Sequence, residues 1–225
     1  MSKTNLDYDE VNTAPTPAVS VIWMHGLGDH GSSFVPLVRE FDLSACPPIR
    51  FIFPHAPERP VTVNGGYEMS AWFDIIGGFE AGDREDAAGI KDSREDIEQL
   101  IAQEKARGIP ADKIILAGFS QGCAMALETA LCYPEKLAGV IGLSGYIPQL
   151  ETFDNRRNAA NQQTPIFLGH GNDDQVVPVG RAKDASKVLS SLGYNVEWHE
   201  YDMMHTMIME EIDDISSWLT KLLAG

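Results

Sequence analysis

Short apolar runs alternate along the chain with longer stretches in which apolar residues recur every three or four positions. The runs at 18–24, 49–53, 114–117, 140–143, 166–168 and 196–201 are mostly β-branched or aromatic, which predicts strands. Several are apolar at consecutive positions, as strands covered on both faces are. Between them, residues 92–107 carry Ile97, Leu100 and Ile101 at helical spacing and are stopped by Gly108 and Pro110. The stretches 121–132, 181–192 (closed by Gly193) and 208–223 read as helices in the same way. This alternation predicts an α/β fold, a mainly parallel central sheet with helices on both faces. Ligands bind such sheets beyond the carboxyl ends of the strands, so the residues just after each run are the candidates for chemistry.

The alternation breaks down at 54–82. That segment is irregular but carries Trp72, Phe73, Ile75, Ile76 and Phe79, too many large apolar groups for a disordered loop. It either plugs the core or forms the wall of an apolar binding site. No repeat and no Gly/Ser-rich linker divides the chain, so residues 18–225 read as a single domain after an N-terminal tail at 1–17.

Composition narrows the function. The 225 residues are 44% hydrophobic, enough to bury a sizeable core, and 33 acidic against 17 basic side chains give a net charge of −16. A field of that sign repels phosphate backbones and anionic lipid headgroups, so nucleic acid is not an expected partner. The three cysteines lack a C-x-x-C pair, which fits free thiols in a reducing compartment. With no signal-peptide pattern and no apolar run near the ~20 residues of a membrane span, the expected location is cytoplasmic.

The most informative segment is Gly118-Phe119-Ser120-Gln121-Gly122, a G-x-S-x-G placed between an expected strand and an expected helix. There the serine sits on a tight turn, flanked by positions with no room for a side chain. The amide of Gln121 then points at a developing oxyanion. The bland alternative is an ordinary strand-to-helix turn with Ser120 as N-cap. A serine nucleophile requires a histidine base and an orienting acid. His205 follows the last strand-like run, and Asp173 and Asp174 lie between serine and histidine after another, in the chain order serine, acid, histidine. Spacing alone does not choose between the two aspartates. The segment after the first run, Gly26-Leu27-Gly28-Asp29-His30-Gly31, fits G-x-G-x-x-G, which raises the alternative of an NAD-dependent oxidoreductase. That fingerprint needs an acid at the end of the second strand, where Pro54 and His55 stand instead. The same glycines suit a loop whose Leu27 amide is a second oxyanion donor. His25, His30 and the aspartate pair form no metal-ligand motif, so neither metal nor cofactor is expected. Cys123 reads as a small apolar filler, and Met203, Met204, Met207 and Met209 around His205 as core packing or as the lining of an acyl pocket.

With these segments together, the chain resembles a small bacterial carboxylesterase of the acyl-protein thioesterase and phospholipase/carboxylesterase family, an α/β-hydrolase group. The resemblance rests on Ile22-Trp-Met-His-Gly-Leu-Gly-Asp29, Pro54-His-Ala-Pro-Glu-Arg-Pro-Val-Thr-Val-Asn-Gly-Gly66, Ala71-Trp-Phe-Asp-Ile75, Leu116-Ala-Gly-Phe-Ser-Gln-Gly122, Leu143-Ser-Gly-Tyr146, His170-Gly-Asn-Asp-Asp-Gln-Val-Val-Pro178 and Tyr201-Asp-Met-Met-His205. It implies a serine hydrolase that cleaves carboxylic esters or thioesters through an acyl-enzyme. It also implies a triad of Ser120, Asp174 and His205, oxyanion amides from Leu27 and Gln121, and an acyl groove along Trp72, Phe73, Ile75 and Val177. Lipids and lipidated proteins are among the substrates it brings in, and homodimers are common. Cys123 departs from the glycine of many relatives, and nothing is carried over to 151–163. A non-catalytic binding protein on the same fold remains the other alternative.

Overall fold

The computed structural model describes residues 6–77 and 85–224. Its centre is a seven-stranded sheet in the order β1-β3-β2-β6-β7-β8-β9. The strands are β1 (Tyr8–Asn12), β2 (Val19–Met24), β3 (Ile49–Pro54), β6 (Ile114–Phe119), β7 (Gly139–Leu143), β8 (Ile166–Gly171) and β9 (Val196–Tyr201), and the separate pair is β4 (Glu58–Val61) with β5 (Tyr67–Ser70). All neighbours in the large sheet pair in parallel except β1, which lies antiparallel on β3. Among the described residues, four α-helices accompany the sheet: α1 (Ala87–Ala106), α2 (Gln121–Cys132), α3 (Val179–Ser191) and α4 (Met209–Leu223).

The central strands show why they read as unbroken apolar runs. In β2, Val19, Val21 and Trp23 face one core while Ile22 and Met24 face the other, and β6 divides likewise into Ile115 and Ala117 against Ile114 and Leu116. Side chains alternate across a strand, so a run apolar at every position is one that has a hydrophobic layer on each side. One layer packs α1, α2 and α3 on the sheet, and the other packs α4 and a 3₁₀ segment (Gly31–Arg39). Helix α2 is buried along nearly its whole length, in keeping with its apolar composition on all sides.

Three expectations change. Residues 8–12, expected within a structureless tail, form the edge strand β1, because the backbone groups of Tyr8 to Asn12 pair with Pro54 to Arg50. The segment 54–82 is not irregular throughout: Glu58–Val61 and Tyr67–Ser70 form a hairpin whose polar composition and internal proline hid it. Its remaining part from residue 78 to 82, with Phe79, lies outside the described residues. Helix α1 starts at Ala87, ahead of the expected 92, where Asp86 accepts a hydrogen bond from the Gly89 amide as an N-cap.

Candidate active site

Three parallel strands, β6, β7 and β8, end side by side, and the turn after β6 is the most constrained in the chain. Ser120 adopts φ 56° and ψ −119°, a left-handed conformation that non-glycine residues rarely hold. Its amide donates to Leu143 O at the end of β7 at 2.8 Å, which ties the turn to the sheet. The flanking glycines are required by close approach. A Cβ on Gly118 would lie 2.2 Å from Gly122 O, and one on Gly122 would lie 2.2 Å from Met24 O. Although Ser120 occupies the N-cap position of α2, its side chain makes no capping bond. The hydroxyl instead lies 2.9 Å from His205 Nε2.

His205 stands on the loop between β9 and α4, and its Nδ1 donates to Asp174 Oδ2 at 2.7 Å. Of the two adjacent aspartates, Asp174 is the one within hydrogen-bond distance of the imidazole. Asp174 is buried and aimed at the imidazole, whereas Asp173 is exposed. Asp174 Oδ1 accepts from the amides of Val176 and Val177 at 2.8 and 2.9 Å, which fixes the carboxyl group in the turn after β8. The Phe119 ring packs 4.8 Å from that of His205, and the two join Phe34, Thr206 and Met207 around a cleft of about 220 Å³.

The loop after β2 faces the serine from the other side. Gly26 packs against Ser120 so closely that an added Cβ would lie 3.3 Å from the serine Cβ, and Leu27 follows it. Helix α2 opens at Gln121, where the first-turn amides have no partner within the helix. The loop is pinned by His25, a fully buried ring whose Nδ1 donates to Gly26 O at 2.7 Å and whose Nε2 accepts from the Ala56 amide at 3.0 Å. Burial lowers its pKa to about 4, which keeps the ring neutral. The same contacts speak against a nucleotide. The Gly28 amide is already donated to Ser70 O of β5, and Gly31 opens a 3₁₀ segment packed on the backbone of β3 rather than an α-helix.

The expected groove residues take another place. Trp72, Phe73, Ile75 and Val177 are all buried, at most 3% exposed, and form no open wall; this corrects the groove assignment. Trp72 is held by its indole donating to His25 O and by its amide donating to the Gln121 side chain, whose Nε2 in turn donates to Phe73 O. The segment is a buttress behind the two candidate oxyanion amides. That role of Gln121's side chain, and those of His25 and His170, were missed. His25 and His170 stand as polar residues at the ends of apolar strand runs, whereas Gln121 opens a helix and nothing local marks the partner of any of the three. Cys123 is buried beside Gly142 and Gly145, with its thiol pKa pushed up to about 12 by burial. Met203 is buried, Met207 lines the cleft, and Met204 and Met209 are exposed. Among the described residues no group of three His, Cys, Asp or Glu side chains is placed to hold a metal ion, and no helix is long and apolar enough to cross a membrane.

Residues 8–223 match the phospholipase/carboxylesterase family. Acyl-protein thioesterase 1 of Yarrowia lipolytica is 40% identical over 204 residues, covering 89% of this chain and 90% of the relative. The Saccharomyces cerevisiae protein of the same name is 37% identical over 92% of this chain and 93% of its own. These relatives are fungal, so what they show is the family and not the bacterial origin that the resemblance brought in. Among solved structures, Zea mays acyl-protein thioesterase 2 superposes with a TM-score of 0.86 at 32% identity, over 96% of this chain and 99% of that one. A serine held against a histidine and a buried aspartate at the strand ends of this sheet, together with these matches, establishes that the chain belongs to the phospholipase/carboxylesterase family of α/β-hydrolases and is a serine hydrolase of esters or thioesters.

Proposed function

We propose that Ser120, His205 and Asp174 are the catalytic triad and that the chain hydrolyses acyl thioesters or esters through an acyl-enzyme. The observation that carries this reading is the unbroken line from Ser120 Oγ to His205 Nε2 at 2.9 Å and from Nδ1 to Asp174 Oδ2 at 2.7 Å. Ser120 attacks the acyl carbonyl while His205 takes its proton and returns it to the departing thiol or alcohol. Asp174 fixes the tautomer and offsets the imidazolium charge. Water, activated by the same histidine, then releases the acid. The amides of Leu27 and Gln121 hold the tetrahedral oxyanion, each such donor being worth about 3 kcal/mol of barrier. This chemistry needs neither a metal nor a cofactor.

The substrate is proposed as an acyl group on a thiol, including lipidated protein, by analogy with the acyl-protein thioesterases that the chain resembles. The cleft beside His205, at about 220 Å³, fits short acyl chains before long ones. The free thiols and acidic balance agree with a cytoplasmic setting, and a homodimer is the proposed assembly. The test is Ser120→Ala assayed with matched short-chain esters and thioesters. Loss of essentially all turnover, in a variant that still folds and no longer reacts with a fluorophosphonate probe, is expected. Undiminished turnover would overturn the mechanism.

A further inference from the structure

Asp174 has a second histidine. His170, the next-to-last residue of β8, is fully buried, with Nε2 2.9 Å from Val177 O and 3.3 Å from Asp174 Oδ2. A carbonyl oxygen only accepts, so Nε2 carries the proton and Nδ1 is bare. Nδ1 is buried among the described residues without a hydrogen-bond partner. A second proton there would be a buried donor with nothing to accept it, and desolvation also lowers the pKa of this ring. His170 is therefore a neutral donor to the Val177 carbonyl, with its Nε2 edge lying 3.3 Å from the triad acid without a hydrogen bond to it.

Asp174 then receives three hydrogen bonds and one close polar contact. The amides of Val176 and Val177 occupy Oδ1, and the rings of His205 and His170 meet at Oδ2. The two imidazoles act differently on that oxygen. His205 draws on its negative charge when it becomes an imidazolium, whereas His170 lies beside it and takes up part of the same charge beforehand. The other ionisable groups around His170 are Asp174, His205 and Glu200, and Glu200 is tied to Lys183 and Trp198.

We propose that His170 is a positioning residue for the triad acid: its Nε2–H donates to Val177 O and so fixes the turn whose Val176 and Val177 amides hold Asp174, while its polar edge 3.3 Å from Oδ2 moderates the charge that carboxylate offers His205. This rests on the triad reading above. With His170 removed, Oδ2 is less well aimed but offers His205 its whole charge, so turnover falls while the imidazolium is better stabilised.

The pH dependence of kcat/KM for a short-chain ester tests this in the full-length protein, with fluorophosphonate labelling as the check on the triad. His170→Phe keeps a flat ring and loses the donor. It should lower kcat with little change in KM and move the acid limb of kcat/KM upward by about half a pH unit. His170→Gln, whose Nε2 can donate from the same place, should return the limb toward that of the parent. A labelled, folded Phe variant with the parent's pH profile would overturn the proposal. Absence of labelling in the parent itself would instead overturn the triad. Should the Phe variant not fold, imidazole ¹⁵N shifts of the parent decide the matter. A His170 that stays neutral and protonated on Nε2 across the acid limb supports the proposal, and one protonated on Nδ1 refutes it.

Discussion

At the scale of single residues, the site depends on positions where backbone leaves no room. Ser120 holds a strained φ of 56° because Gly118 and Gly122 let strand β6, helix α2 and the end of β2 close around it. Gly122→Ala would push a methyl to 2.2 Å from the Met24 carbonyl, which is backbone and cannot swing away. The expected cost is about 1–3 kcal/mol of stability, read as a lower Tm, with a larger loss in kcat because His25 and the Gly26 loop follow directly on Met24. The nucleophile, the histidine and the pair of candidate acids were legible in the sequence because their chemistry prescribes residue types at strand ends. His25, His170 and the Gln121 side chain were not. Each works through hydrogen bonds to backbone groups brought in from elsewhere in the chain, the Ala56 amide, the Val177 carbonyl and the Phe73 carbonyl, and no local pattern announces such a partner.

At the scale of elements, periodicity found the strands and helices whose faces are uniform and lost those whose contacts are mixed. Helix α2 is buried almost throughout and ends where expected, whereas β1 and the β4–β5 hairpin are polar strands stabilised by pairing rather than burial. The segment 151–163 carried no signal because it forms short 3₁₀ turns around two buried side chains, Phe153 and Asn161. Asn161 donates to the carbonyls of Tyr133 and Glu135 and accepts from the Leu137 amide and the Thr164 hydroxyl, closing the connection between α2 and β7. Asn161→Leu would leave those groups buried without partners, at an expected cost of about 3 kcal/mol or more. Urea titration should show a lower midpoint at unchanged slope, with kcat of the folded fraction retained, since the connection lies away from the strand ends that carry the triad.

At the scale of the whole molecule, two buried groups set opposite pH limits on stability. Glu211, in the first turn of α4, is fully buried with neither oxygen hydrogen-bonded among the described residues, and desolvation, then the charge of Asp214, raises its pKa to about 8. The helix N-terminus favours a negative charge there by only about 1 kcal/mol, too little to offset burial. The folded protein therefore keeps a proton that the unfolded chain gives up above about 4.5, and stability declines as pH rises from 4.5 to 8. His25 works in reverse, its folded pKa near 4 lying below the 6.5 of a free imidazole, so its contribution is lost as pH falls from 6.5 to 4. Glu211→Gln should thus raise stability by on the order of 3 kcal/mol at pH 8 and have little effect at pH 4.5, a difference that melting curves at the two pH values would read.

The amide of Ser120 is tied to the end of β7, and the Ser144 amide just past β7 is tied to Gly169 of β8 at 2.9 Å, so three neighbouring strands are stitched across the tips that carry the nucleophile and the acid. Registration between adjacent polypeptide ribbons, about 4.8 Å apart, is consequently the ruler by which the reacting groups are spaced. Turnover then becomes a gauge of sheet integrity: in rising urea, catalytic rate and far-ultraviolet ellipticity should decay along one curve, and an earlier loss of rate would show that the tips loosen ahead of the sheet.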